Sequence, residues 1–137
     1  MVNYLLDTNV VSEPSKPRPD PKVMAWIAAT PIRTRYVSVL TLGELTKGLA
    51  IAVKRSRERA EIYQQWLIAV RAQYEGRILP VNALVAETWG MLASTGSYPV
   101  VDALILSTAR AHGLVLATRN RRDVEGLGVK IFNPWTD

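Results

Sequence analysis

Four acidic residues that are far apart in the sequence each lie next to an apolar segment. A charge in such a place costs several kcal/mol unless something compensates it, and the carboxyl end of a buried strand is where open α/β sheets place their ligand sites. If the four carboxylates converged, a cation would have to balance their repulsion. The sequence therefore predicts a hard metal site formed by Asp7, Glu44, Asp102 and Asp123.

Each of these acids also has an ordinary structural interpretation. Asp7 and Asp102 could each cap the helix that follows. Glu44 could pair with Thr41 in a capping box, and Asp123 could be a turn residue. The joint placement of all four acids at the ends of predicted elements favours the metal site over four separate explanations.

The residue types that are missing narrow the chemistry further. The sequence has no cysteine and a single histidine, His112, which directly precedes Gly113 and suits the last turn of a helix. This composition excludes a thiolate nucleophile and a pair of histidines as acid and base, and it argues against zinc. Carboxylate oxygens favour Mg²⁺ or Mn²⁺. An aspartyl phosphatase would need a second aspartate where this chain has Asn9.

The net charge is +5, from 17 basic and 12 acidic residues. If the four acids form one pocket, the remaining surface has 17 basic and eight acidic residues, a net charge of +9. A basic exterior around an acidic pocket suits a metal-dependent enzyme that acts on a polyanion. The densest basic run consists of Lys54, Arg55, Arg57 and Arg59.

The pattern of apolar residues predicts one α/β domain over residues 1–137. A hydrophobic share of 48% excludes a disordered chain. Short aliphatic runs alternate with helical patterns, which favours a parallel sheet covered on both faces. The predicted strands are 3–6, 36–39, 78–81, 114–117 and 129–132, and the predicted helices are 21–29, 42–53, 57–74, 83–94 and 102–112. The apolar runs are too short to span a membrane. Because the start lacks signal-peptide features and cysteine is absent, we expect a cytoplasmic protein.

Several short motifs, in this order and spacing, resemble a known family. The chain is similar to the PIN-domain ribonucleases, specifically the VapC/FitB-type toxins of bacterial type II toxin–antitoxin pairs. The matching motifs are Leu6-Asp7-Thr8-Asn9-Val10-Val11-Ser12-Glu13, Ser38-Val39-Leu40-Thr41-Leu42-Gly43-Glu44-Leu45, Ile78-Leu79-Pro80-Val81, Pro99-Val100-Val101-Asp102-Ala103-Leu104-Ile105, Thr118-Arg119-Asn120-Arg121-Arg122-Asp123 and Asn133-Pro134-Trp135. The chain departs from the family at two places. Val124 stands where the family often has phenylalanine, and the stretch before Pro99, Ser94-Thr95-Gly96-Ser97-Tyr98, is short and unusual for the family.

The resemblance implies a three-layer α/β/α sandwich with a mostly parallel central sheet. It also implies a metal-dependent ribonuclease that hydrolyses RNA phosphodiester bonds, forms a homodimer and is neutralised by a cognate antitoxin. The acids named above would be the catalytic residues and would bind Mg²⁺ or Mn²⁺, with Asp7 and Asp102 as principal ligands. The residues expected to orient ligands or substrate are Thr8, Asn9, Thr118 and Asn120.

Two alternatives stay open at this point. A non-catalytic RNA- or protein-binding domain of the same fold would share the basic surface and would use the acids only as caps. The basic run itself could be a solvated helix junction, or it could contact RNA phosphates or an acidic stretch of the antitoxin.

Overall fold

A computed structural model of the chain describes residues 1–137 except for the side chain of Asp123. The predicted role of Asp123 as a metal ligand therefore lies outside the described residues. Within the described part of the chain, five short strands form one sheet: β1 (Tyr4–Leu6), β2 (Arg35–Ser38), β3 (Ile78–Leu79), β4 (Val115–Ala117) and β5 (Ile131–Phe132).

All four strand pairings described in this sheet are parallel, and the spatial order is β3-β2-β1-β4-β5. The chain builds outward from β1 to β3 and then returns to the other side of β1. Leu6 is in register with Val37 on one side and with Ala117 on the other. The residues that follow them, Asp7 and Thr118, therefore lie together where the strand order reverses, the usual place for a ligand site in such a sheet.

The described helices cover both faces of the sheet. They are α1 (Thr8–Ser12), α2 (Pro21–Ala29), α3 (Val39–Arg55), α4 (Arg57–Gln73), α5 (Ala83–Ala93), α6 (Val100–His112) and α7 (Arg121–Val124). Successive residues of a strand point to opposite faces. Leu6 accordingly packs with Val23 and Leu45 on the side of α1 to α4, and Leu5 packs with Leu106 on the side of α5 and α6. This arrangement confirms the expected α/β/α sandwich.

The five predicted strands agree with the structure to within two residues at each end. Helix α2 begins as predicted, with the Asp20 side chain accepting a hydrogen bond from the Lys22 N–H and Pro21 in the first position. The prediction of a helix over 42–53 was too short. Because the Ser38 hydroxyl accepts a hydrogen bond from the Leu40 N–H, α3 starts three residues earlier and continues to Arg55.

Helix α6 ends as the sequence predicts. Gly113 adopts the left-handed conformation, with φ of 65°, and His112 lies in the last helical turn. A residue without a Cβ adopts this conformation at no steric cost. None of the helices in the described part of the chain combines the length and the hydropathy that crossing a membrane requires.

Candidate active site

Asp7 ends β1 and occupies the N-cap position of α1. Its Oδ1 accepts a hydrogen bond from the Thr8 N–H at 2.8 Å, and its Oδ2 accepts one from the Thr118 hydroxyl at 2.8 Å. Both carboxylate oxygens are therefore held in place by elements from opposite ends of the chain. The capping interpretation of Asp7 is therefore correct, and the cap leaves the carboxylate at the switch point of the sheet, where a ligand site was predicted.

Thr8 connects Asp7 to Glu44. The Thr8 hydroxyl donates to Glu44 Oε1 at 2.6 Å and lies 3.0 Å from the Thr41 hydroxyl. Because the single proton of Thr8 goes to Glu44, the fully buried Thr41 donates to Thr8. The capping-box interpretation of Glu44 was wrong, because α3 begins at Val39 and both Thr41 and Glu44 lie inside the helix. Thr41 is a residue that our sequence analysis treated only as a cap.

Asp102 lies in the first turn of α6, exposed to solvent. The N-cap position of this helix is Pro99, so the interpretation of Asp102 as the cap was wrong. Asp102 and Asp7 line the same hollow at the carboxyl end of the sheet. The structure thus brings together two acids that are 95 positions apart in the sequence.

The electrostatics of the site are dominated by Asp7. Burial raises the pKa of the Asp7 carboxyl above its ordinary value, and the negative charges of Asp102 and Glu44 raise it further. Hydrogen bonds from Thr118 and Thr8 oppose this rise without cancelling it. Asp7 is therefore a carboxylate whose charge the surrounding described residues do not compensate.

This donor set fits a hard divalent cation. Every candidate ligand is a carboxylate oxygen, which Mg²⁺ and Mn²⁺ prefer. A cation beside Asp7 would favour the ionised carboxylate and so lower the pKa of Asp7. Among the described residues, no three acidic, histidine or cysteine side chains are close enough to form a complete ligand group. The described acids would therefore provide only part of a coordination shell, and Mg²⁺ commonly completes its shell with water.

The four residues that were predicted to orient ligands or substrate differ from one another in their contacts. Thr8 and the buried Thr118 contact carboxylates directly, and Asn120 donates its backbone N–H to the Thr118 hydroxyl at 3.1 Å. Asn9 is exposed on α1, and its one described hydrogen bond outside the helix backbone is to the Ser12 hydroxyl through its carbonyl oxygen. The described contacts therefore do not join the Asn9 side chain to the acids.

A hollow of about 430 Å³ extends from the acids into the protein between α5, α6, β4 and α7. Asp7, Asp102, Thr118 and Asn120 lie at its polar end. Its other lining residues are mostly apolar: Leu92, Ser97, Tyr98, Pro99, Ala103, Ile105, Leu106, Leu116, Val124 and Leu127. Ser97 and Tyr98 were not predicted as site residues; they belong to the short stretch before Pro99 that departs from the family.

The basic run lies at the other end of α3 from Glu44. Lys54 and Arg55 end α3, Arg57 and Arg59 begin α4, and all four are exposed. The distance from Glu44 to Arg55 along the helix axis is about 16 Å, at 1.5 Å per residue. Arg55 and Arg59 line a separate cleft of about 540 Å³ at the junction of the two helices.

Comparison with known proteins agrees with this geometry. The PIN domain family model matches residues 4–125. Toxin FitB of Neisseria gonorrhoeae is 32% identical over 97% of this chain and 99% of its own length. VapC ribonuclease Y4jK of Sinorhizobium fredii is 39% identical over 96% of both chains. The crystal structure of FitAcB from Neisseria gonorrhoeae superimposes with a TM-score of 0.91 at 31% identity, covering 98% of this chain and 99% of the other.

The family model covers most of the sequence, and the similarity to both relatives runs over nearly their full length. The TM-score of 0.91 shows that the parallel sheet and its helices are shared with the structure of FitAcB. The chain therefore belongs to the PIN domain family, among its members of the FitB and VapC type.

Proposed function

We propose that this protein is a metal-dependent endoribonuclease and the toxin of a toxin–antitoxin pair that acts in the cytoplasm. The observation that carries the proposal is the environment of Asp7, whose two oxygens are fixed by hydrogen bonds while burial and neighbouring carboxylates raise its pKa. A relative that is 39% identical is named a VapC ribonuclease, which supports RNA as the substrate.

Asp7 and Asp102 would hold a Mg²⁺ or Mn²⁺ ion, and Glu44 and Asp123 would complete the shell directly or through water. When bound, the ion supplies an activated water and neutralises the negative charge that develops on the phosphate. Thr118 and the Thr8 backbone hold the Asp7 oxygens in position for the ion.

Three further residues would position ligands and substrate without holding the ion. The Thr8 hydroxyl fixes Glu44, and Thr41 fixes Thr8. Asn120 lines the same hollow as the acids, where its carboxamide would orient the substrate. The basic exterior would attract the RNA backbone.

Cleavage assays test the proposal. Purified protein is incubated with RNA in Mn²⁺, in Mg²⁺ and in EDTA, with an Asp102→Asn variant as the matched control for a contaminating nuclease. We expect cleavage by the parent protein with either metal, none in EDTA and none by the variant. RNA that is bound but not cut with either metal would instead support the non-catalytic binding domain.

Relatives of this chain form complexes with a second protein, as in the structure of FitAB bound to the IR36 DNA fragment, which superimposes with a TM-score of 0.87 at 30% identity. We extend this to a cognate antitoxin that binds the present chain and inhibits cleavage. Inhibition of the same cleavage assay at equimolar antitoxin is the expected result, and undiminished cleavage by the saturated complex would contradict it.

We also propose that the chain forms a homodimer. Leu84 and Met91, seven positions apart on α5, share one face of the helix and are exposed, as is Val100 at the start of α6. A Met91→Asp substitution is expected to convert a dimeric mass in light scattering to a monomeric one. Ile62→Asp on α4, at a similarly exposed position, is the matched control and should leave the mass unchanged. A monomeric parent protein would contradict the proposal.

A further inference from the structure

The lining of the hollow beside the acids is of two kinds. It combines the Asp7 and Asp102 carboxylates with aliphatic walls, in which Leu106 and Leu116 are each 2% exposed. A volume of about 430 Å³ lies within the range of roughly 300–1,000 Å³ that is typical of small-molecule sites. The two acids and the apolar walls disfavour an anionic group among those walls, so the chemistry favours a neutral, largely apolar group there.

Tyr98 provides an aromatic surface in this hollow. It is half-buried, and its hydroxyl lies 3.2 Å from the Thr95 hydroxyl, which in turn donates to the Leu92 carbonyl. These contacts hold the ring against the wall that Leu92 forms. An aromatic ring that is fixed in this way can stack on a flat ligand without losing further side-chain freedom.

Two polar side chains at the hollow could recognise the edge of such a ligand. Within the described part of the chain, the Ser97 hydroxyl and the Asn120 carboxamide have no hydrogen-bond partner, and both residues are exposed. A hydroxyl and a carboxamide can each donate and accept. Their placement at the hollow therefore combines hydrogen-bonding groups with an aromatic face and an aliphatic floor.

We propose that this hollow is a nucleobase subsite, which holds the base of a nucleotide next to the phosphate that is cut. The inference rests on the proposed ribonuclease function for the position of that phosphate beside Asp7 and Asp102. The base of a nucleotide that carries this phosphate would then lie in the hollow. Proteins that recognise single-stranded RNA stack splayed bases on aromatic side chains and read their edges by hydrogen bonds. The site would give the enzyme a preference for the base at one position of its substrate.

Binding measurements test the subsite without requiring cleavage. The probes are AMP, GMP, CMP and UMP, each with Mg²⁺, and ribose 5-phosphate is the reference ligand that lacks a base. Binding is followed through the methyl NMR signals of Leu92, Ile105 and Leu106. We expect at least one nucleotide to bind about 10-fold more tightly than ribose 5-phosphate and to shift these signals.

A matched pair of substitutions localises the effect. Val124 is 9% exposed and lines the hollow, so Val124→Phe would fill it and should reduce the affinity for that nucleotide to that for ribose 5-phosphate. Val2→Phe makes the same chemical change at an exposed position before β1, away from the acids, and should have no effect. If Val124→Phe does not fold, Tyr98→Leu replaces it, with an expected loss of about 10-fold.

Each outcome decides the inference separately from the proposed function. Equal affinities for all nucleotides and ribose 5-phosphate, or nucleotide binding that leaves the three methyl signals unchanged, would overturn the subsite. Retention of the nucleotide preference in folded Val124→Phe would overturn it as well. A parent protein that shows the base preference but never cuts RNA would support the subsite while contradicting the ribonuclease. A parent protein that cuts RNA but shows no base preference in these titrations would support the ribonuclease and contradict the subsite.

Discussion

Six positions separate Asp7 from Glu13, a second carboxylate that is only 3% exposed. Lys16 Nζ lies 2.8 Å from one oxygen of Glu13, and the Asp20 N–H donates to the other at 2.8 Å. Burial alone would raise the pKa of Glu13, but the Lys16 ammonium, the Asp20 N–H and the charge of Arg119 hold it below its ordinary value of 4.5. The fold therefore compensates this acid with cations and donors of its own.

The environment of Asp7 shifts its pKa in the opposite direction to that of Glu13. Its two hydrogen bonds come from neutral donors, and the charged neighbours that affect its pKa are the carboxylates Asp102 and Glu44. Burial and repulsion together raise its pKa, whereas that of Glu13 is lowered. The comparison indicates that the chain compensates the charge of Glu13 with its own residues and leaves that of Asp7 without a compensating charge from the residues that affect its pKa, which favours the proposed cation.

The largest expected effect is on activity at Asp7. Asp7→Asn keeps an oxygen for the Thr8 N–H and a polar group for Thr118 but removes the charge. We expect cleavage to fall by more than about 100-fold, because loss of even an outer-shell metal partner typically costs 10- to 100-fold. Stability without metal should be unchanged or higher, since a repelling charge is gone. The measurements are single-turnover cleavage and urea unfolding in EDTA.

The same substitution should also remove stabilisation by Mn²⁺. A ligand at 100 times its dissociation constant stabilises a folded protein by about 2.7 kcal/mol, so we expect Mn²⁺ to raise the melting temperature of the parent and not of Asp7→Asn. An Asp7→Asn protein that melts much earlier than the parent and still cuts RNA would show that Asp7 is a structural cap, and the contrast with Glu13 would then disappear.

Glu13→Gln is the second test of the comparison and should act on stability instead. The substitution removes a charged acceptor from a buried position, so we expect the free energy of unfolding to fall by about 1–3 kcal/mol. Cleavage per folded molecule should stay within about twofold of the parent. Glu61→Gln on the exposed side of α4 is the matched control, with an expected change below about 0.5 kcal/mol.

The pH dependence of this effect has a defined sign. Because the folded pKa of Glu13 is lowered from 4.5, its stabilisation is present above that pH and is lost as the pH falls through the folded pKa. The difference in unfolding free energy between the parent and Glu13→Gln should therefore be constant near neutral pH and shrink as the pH falls below 4.5. A difference that grows on acidification would show that the pKa of Glu13 is raised.

Much of the fold, including the strand whose end carries Asp7, could be predicted from the sequence for local reasons. The strands are continuous aliphatic runs, and Asp20-Pro21 and Gly113 mark helix ends by their own conformational preferences. The helix starts near Glu44 and Asp102 were misplaced because several residues compete as caps. Ser38 captures the start of α3 before Thr41 can, and α6 begins directly after Pro99.

Other features depend on packing between distant elements and gave no signal in the sequence. Glu13 belonged to a recognised motif, but its burial and its partners follow from how the segment after α1 folds back on itself. The hollow beside Asp102 exists because side chains of α5, α6, β4 and α7 leave space between them. Thr41 could have been found, since it lies three positions before Glu44 on the same face of α3.

A smaller effect is expected at Thr118, which holds Asp7 in place. Thr118→Val removes the hydroxyl that donates to Asp7 Oδ2 and accepts from the Asn120 N–H, while keeping the shape of a side chain that is 1% exposed. Loss of this outer partner should lower the cleavage rate by about 10- to 100-fold. Thr108→Val is the matched control, because the buried Thr108 hydroxyl donates to the Leu104 carbonyl within α6. Equal effects of the two substitutions on cleavage would mean that Thr118 acts only through stability.

The smallest effect on the chemical step is expected from the basic run, whose charges are exposed, unlike those of Asp7 and Glu13. Arg55→Glu combined with Arg59→Glu reverses the two charges that line the cleft at the α3–α4 junction. If these residues bind phosphates, affinity for all RNAs should weaken similarly, because such interactions do not read sequence. Cleavage at saturating RNA should change by less than about twofold, since Asp7 and its partners are untouched.

A salt series distinguishes the loss of phosphate contacts from the effect of a changed net charge. The log–log dependence of RNA affinity on salt should flatten by roughly one unit for each phosphate that the variant no longer neutralises. Lys22→Glu combined with Lys130→Glu makes the same change in net charge at exposed positions elsewhere and should leave the slope unchanged. Identical slopes for the parent and the Arg55/Arg59 variant would make the basic run a solvated surface or an antitoxin-binding surface. The RNA would then have to approach Asp7 by another face, and antitoxin affinity of the same variant would distinguish the two remaining roles.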